Sequence, residues 1–268
     1  MVISHDHRYL FVELPQTGST AISRELRQHY GGQEILHKHA TYGEFLKVAD
    51  RDKRTYFVFS GIRNPLDNAV SSYFKCKTDH HGTYSSVSDR PAFSRFFFRN
   101  RSKGLEFIQK NNADFSTYFL RFYRYPYDNW SAISHRKFDF IIRFERIRQD
   151  FSRVLEMVGL EQARPLPIMH TTAEKHSEFA SYYTPEAIRR AKHVFGSFMK
   201  RWGYEFPAEW GSHSISRMNR VEYEFLNLFR KFYWIFLRPY IQARLLRERD
   251  ASSTGAETKD APRKSPQG

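Results

Sequence analysis

The chain predicts an α/β fold of three layers, a central parallel sheet flanked by helices, with a helical extension at its C-terminal end. Three observations predict it. Two apolar, aromatic and β-branched runs, Leu10 to Leu14 and Thr55 to Phe59, each stop at a turn and pass into a helix-like segment. A third run, Phe138 to Glu145, is followed by apolar residues at helical spacing, at Ile147, Phe151, Val154, Leu155 and Val158. With 268 residues and 40% hydrophobic content, the chain can also bury one large core.

The first element stops at Pro15, turns through Gln16, Thr17, Gly18, Ser19 and Thr20, and opens into a helix at Ala21. A strand, a short turn and a helix N-terminus gather backbone amides around a phosphate or sulfate. Gly18 lets the backbone approach the anion, Thr17, Ser19 and Thr20 add hydroxyls, and the helix presents the positive end of its dipole. The alternative is a plain β-turn capped by Ser19 or Thr20. The Lys of the pattern GxxxxGK[ST] is absent, and no spaced glycines match a dinucleotide fingerprint.

Next, Glu34 to Leu36 reads as a second strand that ends at His37, Lys38 and His39. Alternate residues on a strand point the same way, so His37 and His39 are expected to face one crevice. Histidine suits proton transfer near neutrality. The alternative is cap or surface histidines in a chain that has 12 of them. No Cys or carboxylate stands at ligand spacing from His37 and His39, so no metal is expected.

The Thr55 to Phe59 strand closes at Ser60 to Asn64, and Pro65 sits where a first-turn proline is tolerated, so Leu66 to Lys75 is expected to be helical. Arg63 then lies beyond the carboxyl end of a parallel strand, where α/β sheets gather their ligands, and can grip a second phosphate with paired N–H donors. Ser71, two helical turns on, can share that anion. The alternative for Arg63 is an ion pair with Asp67.

Together, Leu14 to Thr20 and Arg63 to Phe74, with an eight-residue spacing from Arg63 to Ser71, resemble the two cofactor motifs of the sulfotransferase family. The resemblance is to the carbohydrate-sulfating branch, including the uronic-acid 2-O-sulfotransferases, of bacterial type, and it runs from Tyr9 to Phe206. It implies a P-loop-like fold with 3′-phosphoadenosine-5′-phosphosulfate (PAPS) as sulfuryl donor, PAP as product and no required metal. Pro15, Gln16, Thr17, Gly18, Ser19 and Thr20 would hold the 5′-phosphosulfate, and Arg63 and Ser71 the 3′-phosphate. His39 would be the general base, with His37 as helper. His170 to Lys175 resembles the late loop that closes over the nucleotide, where Thr172 and Lys175 would reach the cofactor. Gln16 departs from the family, which usually has Lys or Arg there to steady the oxygen that leaves. A unit charge at ~4 Å in a partly screened site is worth about 4 kcal/mol, while an amide still donates a hydrogen bond. Lys38, Arg24 and Lys175 are the cations that could replace it.

The remaining elements follow in order. Phe93, Phe96, Phe97, Phe98, Arg99, Arg101, Phe119, Arg121, Phe122, Tyr123, Arg124, Tyr125, Tyr127 and Trp130 mix aromatics with cations; most Phe read as core, and some Arg and Tyr as acceptor contacts. Arg143 and Glu145, in the third strand, read as a structural ion pair. A helix over Pro185 to Trp202 completes a domain of residues 1–210, and residues 211–250 form an extension whose long helix runs from Val221 to Leu246, kinked at Pro239. Its aromatic, basic pattern fits an anionic membrane surface or a partner groove, or packing onto the domain or a second subunit. Residues 251–268 are expected to be a disordered tail.

A formal charge of +14 favours polyanionic partners. An acidic glycan or glycolipid is the expected acceptor; no RNP-like, KH or zinc-finger pattern supports nucleic-acid binding. The single Cys76 excludes an intrachain disulfide, and Met1 to His7 does not read as a signal peptide, so a cytoplasmic protein is expected, peripheral to the inner membrane if the C-terminal helix attaches. A non-catalytic PAP-binding homologue, suggested by Gln16, is the competing expectation.

Overall fold

The computed structural model describes residues 1–87, 92–129, 137–167, 172–175, 178–241, 243–245 and 247–248, with side chains described at all of these except 87 and 92–101. Phe93, Phe96, Phe97, Phe98, Arg99, Arg101, Trp130, His170, Thr171, Leu246 and the tail from Ala251 therefore lie outside the described side chains.

The core is a five-stranded sheet in the order β3-β1-β2-β4-β5, from β1 (Val2–Ser4), β2 (Tyr9–Val12), β3 (Gln33–Glu34), β4 (Phe57–Ile62) and β5 (Phe140–Arg143). β2, β4 and β5 pair in parallel, with Tyr9 opposite Phe57 and Phe59 opposite Phe140. β1 adds antiparallel to β2, and β3 to β1, so the expected parallel sheet carries an antiparallel edge. Successive strand residues face opposite ways. Tyr9, Phe11 and Phe59 pack with Ile22 and Leu26 of α1 (Ser19–His29) and with Phe151, Val154 and Leu155 of α6 (Ile147–Met157). Leu10, Val12 and Val58 pack on the other side, against Tyr42 and Phe45 of α2 (Tyr42–Val48). Burial of both faces explains why β2 and β4 read as continuous apolar runs.

A second core joins α3 (Pro65–Lys77), α4 (Ala92–Asn111), α5 (Phe115–Phe122) and α7 (Pro185–Trp202), centred on Leu66, Val70, Phe115, Phe119 and Phe195. Phe119 is core, as expected. α8 (Arg217–Phe232) continues into a π-helical turn, Tyr233–Leu237, and then helix to residue 241. The long helix thus starts at Arg217, four residues before the expected Val221, and its irregularity is a widened turn ahead of Pro239. Tyr223 of α8 packs with Ile62 and Phe198, so α8 lies against the α/β body.

Two further expectations fail. The third strand stops at Arg143 and gives way to a 3-10 turn, Phe144–Arg146, because Asp150 accepts the Arg143 amide at 2.8 Å. Nor do Arg143 and Glu145 pair. Arg143 donates to the Trp202 carbonyl at 2.6 Å, and Glu145 accepts from the Asn64 amide at 2.6 Å and the Tyr204 hydroxyl at 3.1 Å.

Candidate active site

The carboxyl ends of β2 and β4 lie side by side, so the two loops that leave them are neighbours. Their closest approach needs a glycine: a Cβ on Gly61 would stand 2.9 Å from the Thr17 hydroxyl. The first loop enters α1 through Gly18 at φ +76°, in the left-handed region that favours glycine, and a Cβ there would collide with Ile147. Ala21 and Ile22 turn their amides back onto the Gly18 carbonyl, at 3.0 and 3.3 Å. Ser19 and Thr20 therefore start α1 with N–H groups that have no acceptor in the preceding turn.

The second loop enters α3 through Asn64, whose side chain accepts the Leu66 amide at 3.0 Å, with Pro65 in the first turn. Arg63 is held from three sides. It donates from Nε to Asp67 at 2.7 Å, from Nη2 to Ser71 at 2.7 Å and from Nη1 to the Gln16 carbonyl at 3.4 Å, and it stacks on Phe144 with Cζ 4.2 Å from the ring centroid. The ion pair with Asp67 and the contact with Ser71 coexist, because residues four and eight along a helix share a face. Lys175 also pairs with Asp67. Burial pushes the Asp67 carboxyl up, but Arg63 and Lys175 outweigh it and hold it below the usual carboxylate range.

A cavity of about 530 Å³ opens at this point, lined by Gln16, Gly18, Ser19, Thr20, Arg63, Ser71, Thr172 and Lys175 from the expected set. It is also lined by Lys75, Arg148, Phe144, Ile147, Leu166 and Pro167, none of them anticipated. Lys75 stands four residues after Ser71, so helical spacing could have found it. Arg63, Lys75, Arg148 and Lys175 make the lining strongly cationic, and among the described residues no carboxylate lines it. Burial lowers the Lys75 pKa and the Arg63 charge lowers it further, so an arriving anion is attracted by both.

Pro15 and Thr17 are elsewhere. They line a second cavity of about 390 Å³ with Gln16, Arg63, Asn68, Ser72, Tyr123, Tyr127, Asp128, Asn129, Arg230 and Trp234. Thr17 spends its hydroxyl on the Leu14 carbonyl at 3.0 Å, closing the turn. Gln16, at φ +64°, accepts from the Ser72 hydroxyl at 3.0 Å and stands between the two cavities. Half-buried Asp128 accepts from Tyr223 at 2.9 Å, and its carboxyl is pushed up to about 6 by loss of solvation. The long-range fold that brings Arg230 and Trp234 here left no signal in the sequence.

His37 and His39 do not sit on a strand. β3 ends at Glu34, and Leu36 (φ +58°) and His39 (φ +64°) make a turn instead, which removes the strand alternation expected of them. Among the residues lining the two cavities neither histidine is present. Nε2 of His37 meets Glu44 at 3.1 Å, and Nδ1 of His39 lies 2.8 Å from the Glu13 carbonyl. That carbonyl can only accept, so Nδ1 carries the proton and Nε2 is the basic nitrogen. Burial lowers the His39 pKa, against the pull of the Glu13 carbonyl, so the ring is neutral at pH 7. Between the two, Lys38 reaches back and donates to the Thr20 hydroxyl at 3.1 Å, which places a cation on the first loop. Of the other cations weighed against Gln16, Lys175 is on Asp67 and Arg24 is exposed and outside both linings.

The site therefore offers a helix N-terminus, an anchored guanidinium and a ring of cations to a polyanion, beside a second cavity with aromatic and carboxylate groups. No curated protein and no solved structure matches the chain. Residues 1–201, well over half of the chain, match the sequence profile of the sulfotransferase family, and the chain belongs to that family.

Proposed function

We propose that the chain transfers the sulfuryl group of PAPS to a hydroxyl of a carbohydrate or glycolipid acceptor. The observation that carries this reading is the convergence of the Gln16 to Thr20 loop, Arg63, Ser71, Lys75 and Lys175 on one cationic cavity. The donor set fits a nucleotide bearing phosphates at both ends: amides and hydroxyls of Ser19 and Thr20 for the 5′ end, and Arg63, Ser71 and Lys75 for the 3′-phosphate. Phe144, Ile147, Leu166 and Pro167 supply an apolar wall for a base. When bound, PAPS supplies the sulfuryl group and a phosphate leaving group.

The chain's own residues have three tasks. Lys38, on Thr20, supplies the cation that Gln16 does not, and Gln16 orients the leaving oxygen with its amide. His39, neutral at pH 7 and next to Lys38, lines neither cavity, so as the base it takes the acceptor's proton on Nε2 only from a hydroxyl that reaches the Lys38 turn. The second cavity, with Tyr123, Tyr127 and Trp234, stacks the acceptor ring. A second reading of the base rests on Asp128, which lines that cavity and is poised at about 6. The two variants separate them: turnover and its acidic limb are lost in Asp128→Asn on one reading and in His39→Ala on the other.

The deciding experiment is calorimetric titration with PAP, followed by labelled-sulfate transfer from PAPS to a broad glycan and glycolipid panel. Binding plus transfer supports the proposal. Tight PAP binding without transfer to any acceptor favours a non-catalytic PAP-binding protein, and absence of PAP binding refutes both.

A further inference from the structure

α8 packs inside out. Its inward face is polar: Asn219 bonds Ser197 at 2.9 Å and the His193 carbonyl at 2.8 Å, and Tyr223 bonds Asp128 at 2.9 Å. Arg238, past the π turn, reaches Glu44 and the His39 carbonyl, each at 3.1 Å. Its outward face is apolar. Val221, Phe225, Leu228, Phe229, Phe232 and Phe236 recur at helical spacing, and each is between 57% and 65% exposed. A helix that buries asparagines and leaves four phenylalanines in water is stabilised on one side only, and an apolar stripe of this kind marks an interaction surface.

We infer that this face docks on an anionic lipid bilayer, with the helix lying in the interface. Charge selects that occupant. Arg217, Arg220 and Lys231 are exposed along one edge of the stripe, relieved only by Glu224, and exposed Arg244 and Arg247 follow it. The chain carries +14 overall. A second copy laid face to face would bring like charges together, whereas an anionic leaflet attracts each cation and accepts the rings below its headgroups. No described helix is long and apolar enough to cross a membrane, so the stripe lies on the surface.

The docking does not depend on any reaction, but it deepens the proposed function, and this second step rests on that reading. Arg230 and Trp234, on the inward side of the same helical segment, line the cavity that also holds Gln16 and Arg63. One helix diameter, about 10 Å, then separates the bilayer from the acceptor cavity. A hydroxyl on the headgroup of a glycolipid reaches it without leaving the membrane, so the acceptor is lipid-linked.

The test is co-sedimentation of the full chain with vesicles, without PAPS or acceptor. Binding is expected to vesicles of phosphatidylcholine and phosphatidylglycerol, at about a 2:1 ratio, to weaken in high salt, and to be at least about tenfold weaker with phosphatidylcholine alone. The variant Phe225→Glu/Phe229→Glu/Phe232→Glu changes only exposed side chains, and is expected to lose lipid binding at least about tenfold while keeping its circular dichroism and PAP affinity. Equal vesicle binding by the variant and the parent overturns the inference. So does absence of binding to the anionic vesicles, or a dimer in sedimentation velocity that the variant converts to monomer while lipid is never bound. PAP titration of the same preparations reads the nucleotide site separately, so loss of one reading leaves the other standing.

Discussion

Replacing Arg63 with alanine should damage recognition of one phosphate and spare the other. The Arg63 side chain is only 8% exposed, with Nε committed to Asp67, Nη2 shared between Asp67 and Ser71, and Nη1 in a long contact with the Gln16 carbonyl. Nη1 is therefore the donor best able to turn to a ligand, joined by one Nη2 hydrogen if Ser71 rotates. One to two charge-assisted hydrogen bonds are worth about 2–3 kcal/mol together once desolvation is discounted, or roughly 30- to 150-fold in Kd. Arg63→Ala should weaken PAP by that factor in calorimetry, and adenosine 5′-phosphosulfate, which has no 3′-phosphate, by less than about threefold. Asp67 keeps Lys175 as partner, so the fold should survive, and an unchanged circular dichroism spectrum checks it. Arg63→Lys should fall between, because it keeps the charge and loses the fork. Equal losses for the two nucleotides would refute the assignment of Arg63 to the 3′-phosphate.

Lys38→Met should lower kcat about 10- to 100-fold with little change in KM, while Gln16→Lys should gain less than about threefold, since Lys38 already stands on Thr20. A large gain from Gln16→Lys would show that the first loop lacks its cation. Gly18→Ala combines a left-handed φ of +76° with a clash against Ile147, so thermal melting should show a loss of at least about 1–3 kcal/mol; a neutral effect would contradict the loop geometry. Glu44 gives a pH signature. Burial pushes its carboxyl up, but His37, the Thr41 amide and hydroxyl, and Arg238 outweigh that and hold it at about 2, from an ordinary value of 4.5. A depressed carboxylate stabilises the fold above its ordinary pKa and loses that contribution as pH falls towards about 2, an amount on the order of 3 kcal/mol. Glu44→Gln should flatten the acid limb of the stability curve between those values; an identical limb in parent and variant denies Glu44 that role.

The sequence discloses what is local. A strand, a glycine turn and a helix start are encoded within a dozen residues, so the loop from Gln16 to Thr20 is legible, and so is Arg63 with Ser71, because the short Asn64 cap joins Arg63 directly to the helix that carries Ser71. Lys75 obeys the same spacing from Ser71. The turn at His37 to His39 is hidden in the sequence because Glu34, Ile35 and Leu36 look like a strand, yet the pairing with β1 ends after Gln33 and Glu34 with one further bond, from the Ile35 amide to the Met1 carbonyl at 3.1 Å. Phe144 and Arg148 escaped because Asp150 halts β5 early, a contact seven residues away in sequence. The second cavity was illegible for a stronger reason. Tyr127, Asp128, Arg230 and Trp234 meet only when α8 folds back across the body, and nothing in the helix's own pattern says that its asparagines turn inward.

The sheet order has a consequence for how the protein is made. β4 pairs with β2 across 48 residues and with β5 across 81, so the central strands close only after residue 143 has been synthesised. Both anion loops exist by Ser71, but Phe144, Ile147, Arg148, Thr172 and Lys175, which complete the first cavity, come later. The complete lining of that cavity is therefore absent from a growing chain until most of it has emerged. On the proposed reading PAP stabilises the finished body, by about 2.7 kcal/mol at a hundred times its Kd.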